Sequence, residues 1–348
     1  MIGFFGSDSV YVFVLIVIIY VLFSIYLLSS QLSKFPQRLI LLILYVLLFS
    51  PLFHYIASRD FGSDTVEYKD YYSRVGNLGF NEQNFEYLFF IYSKVLSLIT
   101  SDVYFYFLIP CIFLFVGVFG VAIAASRGNR IYMILMPLIY SVYPFTYSLT
   151  TNVVRQSLAI GILFFIVFFI HSRVKDCQLE NKVDILFSIL LLLIASLFHS
   201  SAIICLILFI PYFFDLRFKS IALIYFICSI LSVTGFSLIN IAKIFIDGRY
   251  LTYIDGGLNN VEYALGFRTE FWLFSSFPFF LLLFINLYKV NIEKRMINFL
   301  KGMCLLGCLH FLTFTIPYND RIGIYVWIFY PLYIAYLFDG ALFKRRNI

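Results

Sequence analysis

Apolar runs long enough to cross a bilayer recur along the chain, separated by short polar clusters. They fall near 9–29, 39–56, 103–125, 131–149 and 156–171, and again near 183–198, 200–214, 219–240, 270–288, 297–316 and 322–338. A run of about 18 or more apolar residues reads as a transmembrane helix. The pattern therefore predicts an all-α fold, a polytopic transmembrane helical bundle of about eleven spans. The first run, Val10 to Leu28, has no basic segment before it and no small-residue cleavage site after it, so it reads as a retained span. Two stretches depart from the pattern. Residues 85–100 are interrupted by Glu86 and Lys94 and predict an amphipathic helix lying at the membrane interface. The legs 183–198 and 200–214 are short and predict a hairpin that need not cross fully.

Composition agrees. Of 348 residues 62% are hydrophobic and 13% charged, with 44 Phe and 27 Tyr, too little polar material to coat a water-soluble domain. The whole chain, 1–348, reads as one integral membrane domain with long outer loops at about 57–102 and 241–269. Charge gives the orientation. Sixteen of the 25 Lys and Arg residues fall on one side, among them Lys34, Arg38, Arg173, Arg217, Lys294 and Arg346. Positive loops stay cytoplasmic, which puts the N-terminus outside and the C-terminus inside. Thirteen of the 19 acids fall on the opposite side, with the remaining cations, including Arg59, Arg74, Arg155, Arg249, Arg268 and Arg321. Function favours elaborated surface loops, so the outer face is where chemistry is expected. The formal net charge of +6 resides in cytoplasmic loops, where topology and anionic lipid account for it. No nucleic-acid partner is expected. Ser126-Arg127-Gly128-Asn129-Arg130 is a turn between spans and no phosphate loop. Five of the six cysteines lie in apolar runs. Cys304 and Cys308 stand four apart, but nothing beside them completes a tetrahedral ligand set, so no metal is expected.

Several outward polar residues carry candidate chemistry. Asp60, Asp64, Tyr68 and Tyr72 are spaced by four, and a helix over them would stack them on one face. Such a face suits sugar, the carboxylates accepting hydroxyl hydrogen bonds while the rings cover an apolar sugar face; it equally suits a solvated amphipathic helix with interfacial tyrosines. Thr151 or Asn152 can cap the helix that follows and place Arg155 in its first turn. A cation there opposes the helix dipole and calls for an anion, which the free N–H groups would also welcome. A diphosphate satisfies both; snorkelling to head groups or pairing with an outer acid is the alternative. His199-Ser200-Ser201 interrupts two apolar legs. His199 can take a proton from a hydroxyl or donate to phosphate, or the triplet is a polar interfacial turn. Arg321 opens the last helix as Arg155 opens its own, unless Asp320 merely pairs with it. The loop 241–269, with Gly248, Gly256 and Gly257, brings Arg268 and Glu270 to the next span.

The ordered set of these motifs resembles the EpsG/Wzy-type polysaccharide polymerases of bacterial envelopes. The resemblance runs through Asp64, Tyr68 and Tyr72, then Phe85-Glu86-Tyr87-Leu88 and Val154-Arg155-Gln156-Ser157-Leu158-Ala159. It continues through Phe198-His199-Ser200-Ser201-Ala202 and closes on Asp320-Arg321-Ile322-Gly323-Ile324-Tyr325. The loop 241–269 has no counterpart in it.

The resemblance implies a polymerase that joins lipid-linked repeat units of O-antigen or capsular polysaccharide at the outer leaflet of the bacterial inner membrane. An acceptor sugar hydroxyl attacks the donor's anomeric carbon, and undecaprenyl diphosphate leaves. Arg155, Arg268 and Arg321 then stand as diphosphate-binding residues, needing no cofactor or metal, because guanidinium groups bind phosphate bidentately. His199, Asp64 and Glu86 are the candidate bases, with the choice open. Asp60, Tyr68, Tyr72 and Glu270 are the candidate sugar contacts. The implied partners are the undecaprenyl-diphosphate-linked oligosaccharide, membrane lipid and a chain-length regulator. Rival readings are a lipid-linked oligosaccharide flippase, an envelope acyltransferase and a glycan ligase. The first is expected to show two similar halves, and no repeat is visible. The second is expected to carry an early intramembrane His, and His54 ends the second span rather than lying in the first. The third would differ in its acceptor alone.

Overall fold

The computed structural model describes residues 15, 17–25, 34–62, 64–80, 85–126, 130–173, 182–236, 266–290, 292 and 294–334. Every regular element among them is helical, in keeping with the all-α expectation. Pro36–Ala57, Val103–Ile123 and Thr269–Leu287 are long and apolar enough to cross a membrane, and shorter apolar helices of 10–17 residues accompany them. Cys177 and the loop residues Asp247, Gly248, Arg249, Asp255, Gly256, Gly257 and Glu262 lie outside the described residues.

The chain divides into two compact units. The first, Met1–Val174 with Glu180–Ile203, contains α1 (17–25), α2 (Lys34–Ala57), α3 (Thr65–Val75), α4 (Tyr87–Ile99) and α5 (Val103–Ser126). It continues with α6 (Arg130–Val142), α7 (Pro144–Thr151), α8 (Val154–Arg173) and α9 (Lys182–Ser196). Helix α5 is its axis and packs against α2, α6 and α8. On the α2 side Tyr45, Phe49 and Phe53 interleave with Phe115 and Phe119. Tyr45 stacks on Phe119 with ring centroids 5.8 Å apart, and its hydroxyl donates to the Pro137 carbonyl at 3.2 Å, so the polar end of this buried ring is satisfied. On the α8 side a Cβ at Gly161 would lie 2.6 Å from the Phe113 ring, and one at Gly117 would lie 3.1 Å from the Gly161 carbonyl oxygen. Hydrogen side chains at both positions let two apolar helices close on each other.

Two elements differ from the expected pattern. The predicted span 131–149 is two helices, α6 and α7, broken at Tyr143, whose φ −74° and ψ 125° are extended. The cause is Pro144 at the start of α7, since a residue before proline is driven out of the helical region. This break also changes how α8 begins. Thr151 and Asn152, expected to cap α8, instead close α7: the Thr151 hydroxyl donates to the Tyr147 carbonyl at 2.9 Å, and Asn152 is the C-cap. The Val153 carbonyl accepts the first bond of α8, from the Ser157 N–H at 2.9 Å. Arg155 is still in the first turn.

The stretch 57–102 is ordered largely as α3 and α4. The loop between α2 and α3 turns at Gly62, whose φ is 105°, and α3 begins only at Thr65. Asp64 is therefore the N-cap of α3, and Asp60 lies outside the helix, so the expected four-residue stack holds for Tyr68 and Tyr72 but does not extend to Asp60.

The second unit, Lys175–Leu179 with Ile204–Ile348, contains α10 (Ile210–Phe213), α11 (Phe218–Val233), α12 (Thr269–Leu287), α13 (Lys294–Phe311) and α14 (Asp320–Trp327). Helix α13 packs against α11, α12 and α14. Tyr225 of α11 lies flat on Phe279 of α12 at 3.8 Å, and its hydroxyl shares a 2.9 Å hydrogen bond with Ser276. Leading into α10 is a 3₁₀ helix, Ser200–Phe209. Its rise of about 2 Å per residue stretches this short leg by about a third over an α-helix.

A half-buried polar cluster at the head of α8

The N-terminus of α4 explains how residues far apart in sequence meet. Glu86 is its N-cap, with extended backbone, and the next free N–H, that of Leu88, donates to the Leu197 carbonyl at the end of α9 at 2.9 Å. Supplying an unpaired helix-end N–H from another element fixes α4 against the turn that carries His199 and Ser200. The Glu86 carboxylate is brought to that turn as a result. Its Oε1 accepts from the Ser200 N–H at 3.1 Å and the Ser200 hydroxyl at 3.3 Å, while its Oε2 accepts from Arg155 Nη1 at 2.5 Å. Both side chains are largely covered, Arg155 at 19% and Glu86 at 16% exposure.

Arg155 is further held by aromatic groups. Its guanidinium lies 4.4 Å over the Phe85 ring, and its Nε reaches toward the Tyr68 hydroxyl at 3.4 Å. His199 is 9% exposed, with Nδ1 2.7 Å from the Ser201 hydroxyl. Burial raises the Glu86 carboxyl pKa, but Arg155, His199 and the Ser200 N–H outweigh it, so the group is held below the usual carboxylate range. Glu86 is thus a committed anion with three donors, which ties Arg155 and the His199 turn together. It is poorly suited to take a proton at neutral pH. His199, of the same cluster, is suited to that by type.

The other predicted residues are placed as follows. Tyr68 and Tyr72 are buried, packed with Phe85, Phe89 and Tyr106, and the Tyr72 hydroxyl donates to the Thr100 carbonyl at 2.7 Å. Their rings are interior to the unit. Asp60 is exposed and pairs with Lys69 at 2.5 Å. Asp64 is half-buried. In the second unit Arg268 is the N-cap of α12, stacked 3.8 Å over Phe271, with Glu270 exposed in the first turn. Arg321, in the first turn of α14, lies 4.7 Å over Tyr318. The first unit therefore gathers Glu86, Arg155, His199 and Tyr68; Arg268, Glu270 and Arg321 belong to the second.

Two further residues emerge that the sequence pattern does not single out. Arg59 ranks in the sequence merely as one outer-side cation, yet it is 2% exposed. His310 is fully buried inside the second unit. Its Nδ1 lies 2.8 Å from the Ser275 hydroxyl, which also accepts from the Trp327 indole at 2.8 Å. A Cβ at Gly323 would lie 2.9 Å from the His310 ring, so this knot braces the start of α14, which bears Arg321.

The loop joining α2 to α3 is also constrained. A Cβ at Gly62 would lie 2.6 Å from the Thr151 carbonyl oxygen and 3.0 Å from Asn152 Oδ1. Gly62→Ala combines that overlap with a positive φ, and is expected to destabilise the protein by more than about 1 kcal/mol. Thermal melting of the purified variant checks this, and an unchanged midpoint would contradict it.

A family model for the EpsG family matches residues 42–348. The chain belongs to the EpsG family. No curated protein and no solved structure matches it. The EpsG family is associated with glycosyltransferase-like polysaccharide polymerases, and together with the apolar helices it makes this chain a membrane protein of polysaccharide biosynthesis. All of the clustered residues, Tyr68, Glu86, Arg155 and His199, fall inside the stretch the EpsG model matches.

Proposed function

We propose that this EpsG-family protein polymerises lipid-linked oligosaccharide repeat units, transferring a growing glycan from undecaprenyl diphosphate to the sugar hydroxyl of the next lipid-linked repeat. The observation that carries the reading is the half-buried Glu86–Arg155–Ser200 cluster with the buried His199 beside it at the head of α8. A polymerase of this class needs a base for the acceptor hydroxyl and cationic groups for the leaving diphosphate. In this reading His199 is the base, with its Nδ1–H donated to Ser201 so that Nε2 keeps the lone pair. Glu86 steadies the imidazolium that forms. Arg155 offers its remaining N–H groups to phosphate, and Arg268 and Arg321 are the second unit's candidates for the same anion chemistry. The charge distribution supports an eleven-span topology with the N-terminus out and the C-terminus in, which sets the chemistry on the outer leaflet of the bacterial inner membrane. O-antigen or capsule is the product in this reading, and a chain-length regulator a partner.

Deleting the gene tests the reading against its rivals. The expected surface glycan is a single repeat unit without a ladder, read on a gel of extracted glycan. Loss of even the single repeat would indicate a flippase. A full ladder of altered mass would indicate an acyltransferase.

A further inference from the structure

The charge balance of the first unit points to a residue outside the cluster just described. Arg155 is matched by Glu86, so that pair is neutral overall. Arg59 is not matched. It lies two residues beyond α2, and among the described residues no carboxylate pairs with it. Its Nη1 donates to the Ile56 carbonyl at 3.0 Å and its Nε to the Thr65 hydroxyl at 3.3 Å, while the guanidinium stacks 3.8 Å over Phe107. Its Nη2 is buried and has no hydrogen-bond partner. Burial lowers its pKa to about 10, which leaves it protonated at neutral pH.

A covered guanidinium with an unused N–H edge and no counter-charge is costly to keep. Capping the last turn of α2 accounts for Nη1 alone. The half-charge at a helix C-terminus provides Nη2 with no acceptor.

The surroundings say which anion. Gly62, in the same loop as Arg59, is pressed against Thr151 and Asn152, directly before α8. Arg59 thus lies by the head of a 20-residue helix whose fourth residue is Ser157, its hydroxyl buried and also without a hydrogen-bond partner. Tyr68 interacts electrostatically with both Arg59 and Arg155. A ligand with several phosphate oxygens can accept from more than one of these donors, where a carboxylate has only two oxygens to offer.

We propose that Arg59 supplies the unmatched positive charge that binds the diphosphate of the lipid-linked donor in the first unit, with Arg155 acting there as a hydrogen-bond donor already neutralised by Glu86. This rests on the polymerase reading, and it moves the charge that holds phosphate from the residue the sequence favours to one it does not.

The test uses the full-length protein in detergent, with farnesyl diphosphate as a soluble stand-in for the donor's prenyl diphosphate, and inorganic diphosphate and phosphatidylglycerol as comparisons. Farnesyl diphosphate is expected to raise the melting temperature of the wild type. In Arg59→Met its apparent affinity is expected to fall about ten-fold or more, the contribution of one charge-assisted hydrogen bond at the least. The ligand-free Met variant is expected to melt no lower than wild type, because an uncompensated buried charge has gone. Arg59→Lys keeps the charge without the fork and should bind with intermediate affinity; it carries the test should the Met variant not accumulate. Unchanged affinity in both variants overturns the proposal, as does a Met variant that melts lower but binds normally, the signature of a simple helix cap. Equal protection by phosphatidylglycerol overturns the assignment to diphosphate in favour of a lipid headgroup. Failure of the wild type to bind farnesyl diphosphate, with a glycan ladder intact in deleted cells, removes the polymerase reading itself; binding by wild type and variants alike removes this inference alone.

Discussion

Glu86→Ala is expected to abolish chain extension and to destabilise the protein by about 1–3 kcal/mol, the usual consequence of leaving a largely covered partner without its hydrogen bonds. The size follows from coverage: at 19% and 16% exposure Arg155 and Glu86 are shielded from most of the water that would solvate an unpaired charge, and Ser200 loses Glu86 as an acceptor at the same time. Arg155→Ala should destabilise comparably for the same reason. The double variant separates structure from chemistry. Removing both charges is expected to restore most of the melting temperature without restoring polymer, because stability needs only the absence of an unpaired charge. The pH dependence has a definite sign. The Glu86 pKa is depressed in the fold, so its stabilisation is complete above the unfolded carboxylate range and is lost as pH falls through the folded value. The melting difference between wild type and Glu86→Ala should therefore be constant near neutrality and shrink in acid. Purely additive melting shifts in the double variant would refute the coupling.

The sequence shows how much of this is legible from pattern and where pattern stops. Apolar runs identified helices such as α2, α5 and α12, because burial in a bilayer demands continuous hydrophobicity over a fixed length. The helix within 85–100, found as α4, and the place of Arg155 in the first turn of α8 are also readable from local rules. The break at Pro144 is a local signal too, but within a long apolar stretch hydropathy hides it, and with it the fact that Thr151 and Asn152 close α7. Pairing is the part no local rule contains. Glu86 and Arg155 are 69 residues apart, and Glu86 and Ser200 are 114 apart. The docking of Leu88 on Leu197 brings Glu86 to Ser200, and the packing of α8 on α5 and α9 sets where Arg155 stands. The burial of Tyr68 and Tyr72 is likewise tertiary, since tyrosine suits an interface and a core equally well. Arg59 is the sharpest case. A cation in a polar loop looks ordinary until the structure shows that Asp60, its neighbour, is pairing outward with Lys69.

His199→Gln is expected to lower chain extension by about 10²–10⁴-fold, the range for loss of a general base, with little change in melting temperature. Glutamine keeps a similar volume and a hydrogen-bonding end toward Ser201 but cannot accept a proton at neutral pH. The prediction rests on position and on elimination within the cluster. Glu86 is engaged by three donors and held ionised, whereas the His199 ring meets the Ser201 hydroxyl through Nδ1 at 2.7 Å, and with the hydrogen on Nδ1 the proton-accepting lone pair is on Nε2. Ser201→Ala tests that tautomer assignment, and a loss of about five-fold is expected, the contribution of one ordinary hydrogen bond. Chain extension measured in isolated membranes from a lipid-linked repeat reads both variants. A His199→Gln protein that extends chains at the wild-type rate would shift the base to Asp64, the remaining carboxylate of the set. A His199→Gln protein that fails only because it does not fold would show itself by a lowered melting temperature. Within the proposed mechanism the two titratable groups of the cluster then have separate tasks: Glu86 organises and His199 transfers the proton.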